Sequence, residues 1–128
     1  MMHLVDTSVW VDFLRGVSNE KVRHLEALIE EGDACINPVI FAELCFGARG
    51  QTQYISYQRR FLDLPFLEVP ENWHLHAAQM GHLLRDNGYR PFLADILIAL
   101  TALHHGVPLL TKDKDFNIFH RFFNLQLA

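Results

Sequence analysis

Hydrophobic positions along the chain follow two alternating patterns. Short apolar runs at His3-Leu4-Val5, Ala34-Cys35-Ile36, Phe66-Leu67-Glu68-Val69 and Leu109-Leu110 read as strands, with Leu125-Gln126-Leu127 as an optional fifth. Between them apolar residues recur at helical spacing. Thr7 and Ser8 are placed to cap a helix carrying Val9, Trp10, Phe13 and Leu14, which Gly16 stops. Glu20 to Glu31 puts Val22, Leu25, Leu28 and Ile29 on one face and ends at Gly32. Asn37 caps a helix whose first position is Pro38, where the missing N–H costs nothing. A further helix holds Tyr54, Tyr57, Phe61 and Leu62 and breaks at Pro65. Asn72 to Asn87 aligns Leu75, Ala78, Gln79, His82 and Leu83, which predicts that this face turns inward. A strongly apolar helix follows Pro91, from Phe92 to His105, and stops at Gly106. The last twelve residues carry no usable motif. Strands alternating with helices predict an α/β fold, a three-layer α/β/α sandwich around a parallel sheet of four to five strands. At 128 residues, 1–128 is expected to form one domain.

Five carboxylates break this apolar pattern. Asp6 closes the run Leu4-Val5, and Glu43 lies between Val39-Ile40-Phe41-Ala42 and Leu44-Cys45-Phe46. Asp95 separates Phe92-Leu93-Ala94 from Ile96-Leu97-Ile98-Ala99-Leu100, while Asp113 and Asp115 follow Leu109-Leu110-Thr111. An ionised carboxylate among buried neighbours is costly unless it is paired or coordinates a metal. Too few cations lie nearby in sequence to pair them, so the economical expectation is one cluster around a divalent ion. The topology allows it. Functional groups of an open parallel sheet gather outside the carboxyl ends of its strands, where Asp6, Asp113 and Asp115 lie and which the helices bearing Glu43 and Asp95 can face. Taken alone, four of them also have a plain structural reading, as a strand-end cap (Asp6), a helix-dipole partner (Asp95) or a surface turn residue (Asp113, Asp115); Glu43 is hardest to dismiss, because its all-round apolar neighbours imply a buried helix.

Charge then changes little. The net value is −4, and setting those five acids aside leaves +1, so a phosphate backbone is neither favoured nor repelled overall. Cys35 and Cys45 sit in apolar runs and are expected to be buried free thiols of a reducing compartment. No signal-peptide pattern opens the chain and its most apolar segment is too short to span a bilayer, so a soluble cytoplasmic protein with no membrane role is expected. The histidine pairs His74/His76 and His104/His105 diverge on a helix and cannot chelate together, which argues against zinc. Core packing is expected for Trp10, Phe13 and Phe46, with base stacking as the alternative.

Four motifs in order carry a family resemblance: Asp6-Thr7-Ser8 after the first strand, Asn37-Pro38 with Glu43 and Gly47-Ala48-Arg49, Asp95 leading Ile96-Leu97-Ile98-Ala99, and Thr111-Lys112-Asp113-Lys114-Asp115-Phe116. Together they resemble the PIN domain, and within it the VapC-type ribonuclease toxins of toxin–antitoxin pairs. One mild departure is Leu100, where many relatives have alanine. The resemblance implies an acidic quartet of Asp6, Glu43, Asp95 and Asp113, with Asp115 as a fifth metal ligand, and supporting hydroxyls at Ser8 and Thr111. All-oxygen ligands suit Mg²⁺ or Mn²⁺. It further implies hydrolysis of RNA, a homodimer, and a cognate antitoxin whose basic segment covers the acidic site. Arg49, Lys112 and Lys114 are the candidates for touching RNA phosphates.

Two enzymatic rivals fit less well. A haloacid dehalogenase-like phosphatase needs a second acid two residues after the first, where this chain has Ser8; a receiver-type phospho-acceptor domain carries its acids in another order. No glycine-rich nucleotide loop is present. The rival from another class is a catalytically idle PIN-fold binding module, which has no reason to keep repelling acids.

Overall fold

Leu4 and Val5, with no exposed surface, form the middle of the sheet in the computed structural model, which describes all residues from Met1 to Ala128. The strands are β1 (His3–Val5), β2 (Ala34–Cys35) and β3 (Leu109–Leu110), in the order β2-β1-β3. All pairings are parallel, with His3 opposite Ala34, Leu4 opposite Leu109 and Val5 opposite Leu110. Helices flank the sheet, as continuous apolar strands require. The expected count of four to five strands is too high. Phe66 meets Ile36, and Leu127 meets Leu109, through single parallel bridges outside the named strands. Pro65 and Pro70 bracket the first of these segments and supply no N–H, so its ladder does not lengthen.

The helices are α1 (Thr7–Leu14), α2 (Glu20–Glu31), α3 (Pro38–Phe46), α4 (Gly50–Leu62), α5 (Trp73–Asp86), α6 (Leu93–His105) and α7 (Asn117–Phe123), with a 3₁₀ turn at Lys114–Phe116. The cap of α1 is Asp6 rather than Thr7 or Ser8: its carboxylate accepts from the Ser8 N–H. Asn19 and Asn37 cap α2 and α3 by accepting from Val22 and Ile40, each at 2.8 Å. Asn37 is fully buried and does more. Its Nδ2 donates to Thr101 Oγ1 at 3.0 Å, and Thr101 donates to the Leu97 carbonyl at 2.7 Å, locking α3 to α6.

α5 faces the other way from the expectation. Ala77, Met80 and Leu84 are buried, while Leu75 and Leu83 are exposed, as are Ala78, Gln79 and His82. Both stripes have helical spacing, and small residues decide between them. Gly81 lies on the inward side, where an added Cβ would stand 3.3 Å from the Ile96 side chain of α6. Ile29, assigned to the inner face of α2, is likewise partly exposed. α7 was not foreseen, yet its Phe119 packs with Phe116 in the core, the rings 5.9 Å apart. No helix is long and apolar enough to cross a membrane.

Candidate functional site

At the carboxyl end of β1 the chain turns directly into α1, which leaves Asp6 buried at the mouth of the sheet. Three donors converge on one of its oxygens, Oδ2: Ser8 Oγ at 2.7 Å, Thr111 Oγ1 at 2.8 Å and the Ser8 N–H at 3.4 Å. Oδ1 accepts none of them. Thr111, just past β3, also accepts from the Asp113 N–H at 3.0 Å, so one hydroxyl joins the ends of two strands to the next acid. Asp113 in turn caps the 3₁₀ turn by accepting from the Asp115 N–H at 2.9 Å. This accounts for the Asp-Lys-Asp spacing.

Glu43 projects from the second turn of α3. Thr7 Oγ1 donates to its Oε1 at 2.7 Å, a contact between α1 and α3 that the sequence reading missed by assigning Thr7 to helix capping. The only signal for it was a hydroxyl directly after Asp6. Glu43 is partly buried rather than enclosed, because α3 is not buried all round: Ala42 and Phe46 face solvent.

Asp95 occupies the first turn of α6. Carboxylate oxygens of Asp95, Asp113 and Asp115 lie within 4.8 Å of one another. Burial is the largest influence on the Asp95 carboxyl, and the neighbouring charges of Asp113, Asp6, Asp115 and Glu43 follow; together they push it up to about 6. All four therefore act on Asp95, but the tight group holds only three acids, and neither Asp6 nor Glu43 belongs to it. Neither ion pair of the molecule relieves these charges, since the pairs join Met1 to Asp33 and Lys112 to Asp12. Crowded oxygen donors without a cation suit a hard divalent ion, and no His or Cys belongs to the group.

The basic candidates divide. Lys112 Nζ lies 2.8 Å from Asp12 Oδ2, which Asn19 also holds, so its charge is engaged on α1 instead of facing a phosphate. The same pairing holds the Asp12 carboxyl below its usual range. Lys112 thereby fastens the Thr111–Asp113 loop to α1. Lys114 is exposed and lines a cleft of about 280 Å³ with Arg90, Phe92, Asp95 and Asp115. Arg49 is exposed beside a second cleft, next to Gly47.

Trp10 is buried in the core, its indole N–H donating to the Val5 carbonyl at 3.1 Å. Phe13 packs partly against the core, with its ring 6.0 Å from that of Trp10. Phe46 is a correction: it is 79% exposed, one turn beyond Glu43, and Phe92 is 71% exposed, three residues before Asp95. Two aromatic rings thus stand free at the ends of helices that carry the acids. Both cysteines are free and buried; Cys35 is pushed up to about 12 by burial, too high for a nucleophile.

Relatives of known type match along nearly the whole chain. The ribonuclease VapC11 of Mycobacterium tuberculosis is 29% identical, the match covering 99% of this chain and 98% of the relative. Ribonuclease VapC21 of the same organism is 30% identical over 74% of this chain and 72% of its own length. Among solved structures, VapBC2 from Rickettsia felis, bound to a promoter DNA fragment, superposes with a TM-score of 0.80 at 23% identity, covering 100% of this chain and 98% of that one. Residues 3–121 match the PIN domain, and the chain belongs to the PIN domain family.

Proposed function

We propose that this chain is an endoribonuclease that hydrolyses RNA phosphodiester bonds with Mg²⁺ or Mn²⁺, and that it is the toxin of a toxin–antitoxin pair acting in the cytoplasm. Residues 1–128 form its one catalytic domain. The observation that carries the reading is the crowding of Asp95, Asp113 and Asp115 within 4.8 Å, with Asp95 raised to about 6. Likeness to proteins named as VapC ribonucleases supports the choice of RNA.

Asp6, Glu43, Asp95 and Asp113 hold the ion, with Asp115 as a fifth oxygen donor. A bound divalent ion supplies Lewis acidity at the phosphate and lowers the pKa of a water. Ser8 and Thr111 orient Asp6 by fixing Oδ2, so that Asp6 would be held ready to help bind a divalent ion. Thr7 orients Glu43 in the same manner. The Asn37–Thr101 bond ties α3, which carries Glu43, to α6, which carries Asp95. Exposed Phe92, which lines the cleft with Asp95, offers a π-face to an unpaired base, and exposed Phe46 at the end of α3 offers another.

One superposable structure is a toxin–antitoxin complex from Klebsiella pneumoniae, and VapBC-5 from Mycobacterium tuberculosis is a member of a family of toxin–antitoxin systems. A cognate antitoxin is proposed here too, with an arginine that forks onto the clustered carboxylates. A second copy of the chain is the further partner. Exposed Leu83 of α5, which lines one cleft with Leu100 and Phe123, and exposed Leu75 on the same helix supply an apolar contact face.

The test is cleavage of cellular RNA by purified protein with Mg²⁺ or Mn²⁺, followed by mapping of new ends. Cleavage abolished by EDTA and leaving 5′-phosphates is expected. Cyclic 2′,3′ ends would contradict attack by water, and no cleavage with either ion would favour an idle binding module.

A further inference from the structure

A second cleft, of about 290 Å³, lies where α1 and α3 end. Arg15, Arg49, Gln53 and Tyr57 line it over a floor that includes Val11 and Gly47, and no acid lines it. We infer that this cleft is a phosphate-binding subsite that holds the RNA strand on the Glu43 side of the acidic cluster. The inference rests on the ribonuclease reading above.

Neither arginine is occupied by an ion pair. Asp12 is the acid nearest Arg15 in sequence, and its carboxylate is already held by Lys112 at 2.8 Å and Asn19 at 3.1 Å. Gln53 Oε1 accepts from the Arg49 N–H at 2.6 Å, which fixes the Gln53 amide and leaves its NH₂ as a donor. Tyr57 is braced edge-on by Phe61, with ring centres 5.9 Å apart. The cleft therefore presents two guanidinium groups, an amide and a phenol, a donor set suited to phosphate oxygens.

Its position follows from helix periodicity. Thr7, Val11 and Arg15 lie four residues apart along α1, and Glu43 and Gly47 do the same along α3. The Thr7–Glu43 hydrogen bond ties the two rows together at the acidic end. Eight residues of helical rise place Arg15 about 12 Å from the level of Thr7, in line with the cluster. A strand lying over five carboxylates is repelled there and must be held at its flanks. Arg90 and Lys114 line the cleft on the Asp95 side, and Arg15 and Arg49 are the matching pair on the other.

The test compares Arg15→Ala/Arg49→Ala with the parent, both carrying Asp95→Asn so that a fluorescein-labelled single-stranded oligoribonucleotide stays intact. Binding is followed by anisotropy across a KCl series. Losing two phosphate contacts should flatten the slope of log K against log salt by about 1.4, at roughly 0.7 per contact on a single strand. Arg15→Lys/Arg49→Lys, which keeps the charge, should restore the slope; failure to do so would overturn the inference. Both arginines are exposed, and matching melting temperatures confirm that folding is intact. An unchanged slope in the alanine variant overturns the subsite alone, provided that the wild type cleaves RNA. That holds even if the variant binds poly-glutamate less well, the result that would reassign the cleft to an acidic protein segment. A wild-type protein that neither binds nor cleaves RNA would remove the ribonuclease reading as well.

Discussion

On one side of the acidic cleft, Asp6 is buried with three donors enclosing a single oxygen. On the other, Asp95, Asp113 and Asp115 crowd together with one backbone N–H donated among their three carboxylates. The first arrangement is complete within the protein and stays in place without help. The second is held only by the helix and turn that carry it, and its repulsion persists until a cation arrives. The comparison teaches a difference in kind: the Asp6 side is satisfied by the protein's own donors, and the Asp95 side leaves its charges uncompensated.

Substitution on the two sides should separate them. Asp95→Asn should lower RNA cleavage by about 10³-fold, equivalent to about 4 kcal/mol of transition-state stabilisation. In EDTA the same variant should melt at a higher temperature than wild type, because the repulsion is relieved. A lower melting temperature would show that the trio is not strained. Thr111→Val strikes the Asp6 side, removing a donor to Asp6 and an acceptor for the Asp113 N–H. Activity should fall about 10–100-fold, as for other groups that orient metal ligands. Unlike Asp95→Asn, it should also destabilise the metal-free fold, by about 1–3 kcal/mol in urea titrations.

The smallest expected effect is on pH. Asp95 titrates near 6 in the folded protein against 3.8 ordinarily, so folding takes up a proton between those values. The charged form is the unfavourable one. Metal-free stability should therefore rise as pH falls from 7 towards 5, and the penalty should be fully present above about 6. The difference between wild type and Asp95→Asn isolates this contribution from every other titrating group. A difference that does not vary with pH would show that the neighbouring charges do not act on Asp95.

Much of this was legible in the sequence because its signals are local. Asn19, Asn37, Gly32 and Gly106 mark helix ends by short-range chemistry, and each stands where it was read or where the same rule puts it. The meeting of Asp95 with Asp113 and Asp115 agrees with the placement of α6 and the end of β3 at one edge of the sheet, while Asp6 and Glu43 stand outside that tight group. What escaped was whatever depends on which partner wins a shared surface. α5 has two apolar stripes, and the close approach allowed by Ala77 and Gly81 selects the one with fewer large residues. Phe46 looks like core by composition but lies on a helix with one side to solvent. Lys112 looks like a phosphate contact until the fold brings Asp12 to it from α1. α7 has no side-chain cap to announce it, and its aromatic residues fit a strand as well as a helix.

Gly81 has a consequence beyond its own helix. With 3.3 Å between its missing methyl group and Ile96, the opening turn of α6 has no slack behind it, and Asp95 is the adjoining residue. Alanine at that position would shift this turn by a few tenths of an ångström, altering the spacing of Asp95 from Asp113 and Asp115 from the far side of α6. On the proposed metal-dependent reading, α5 is therefore where variants with altered ion preference should be sought.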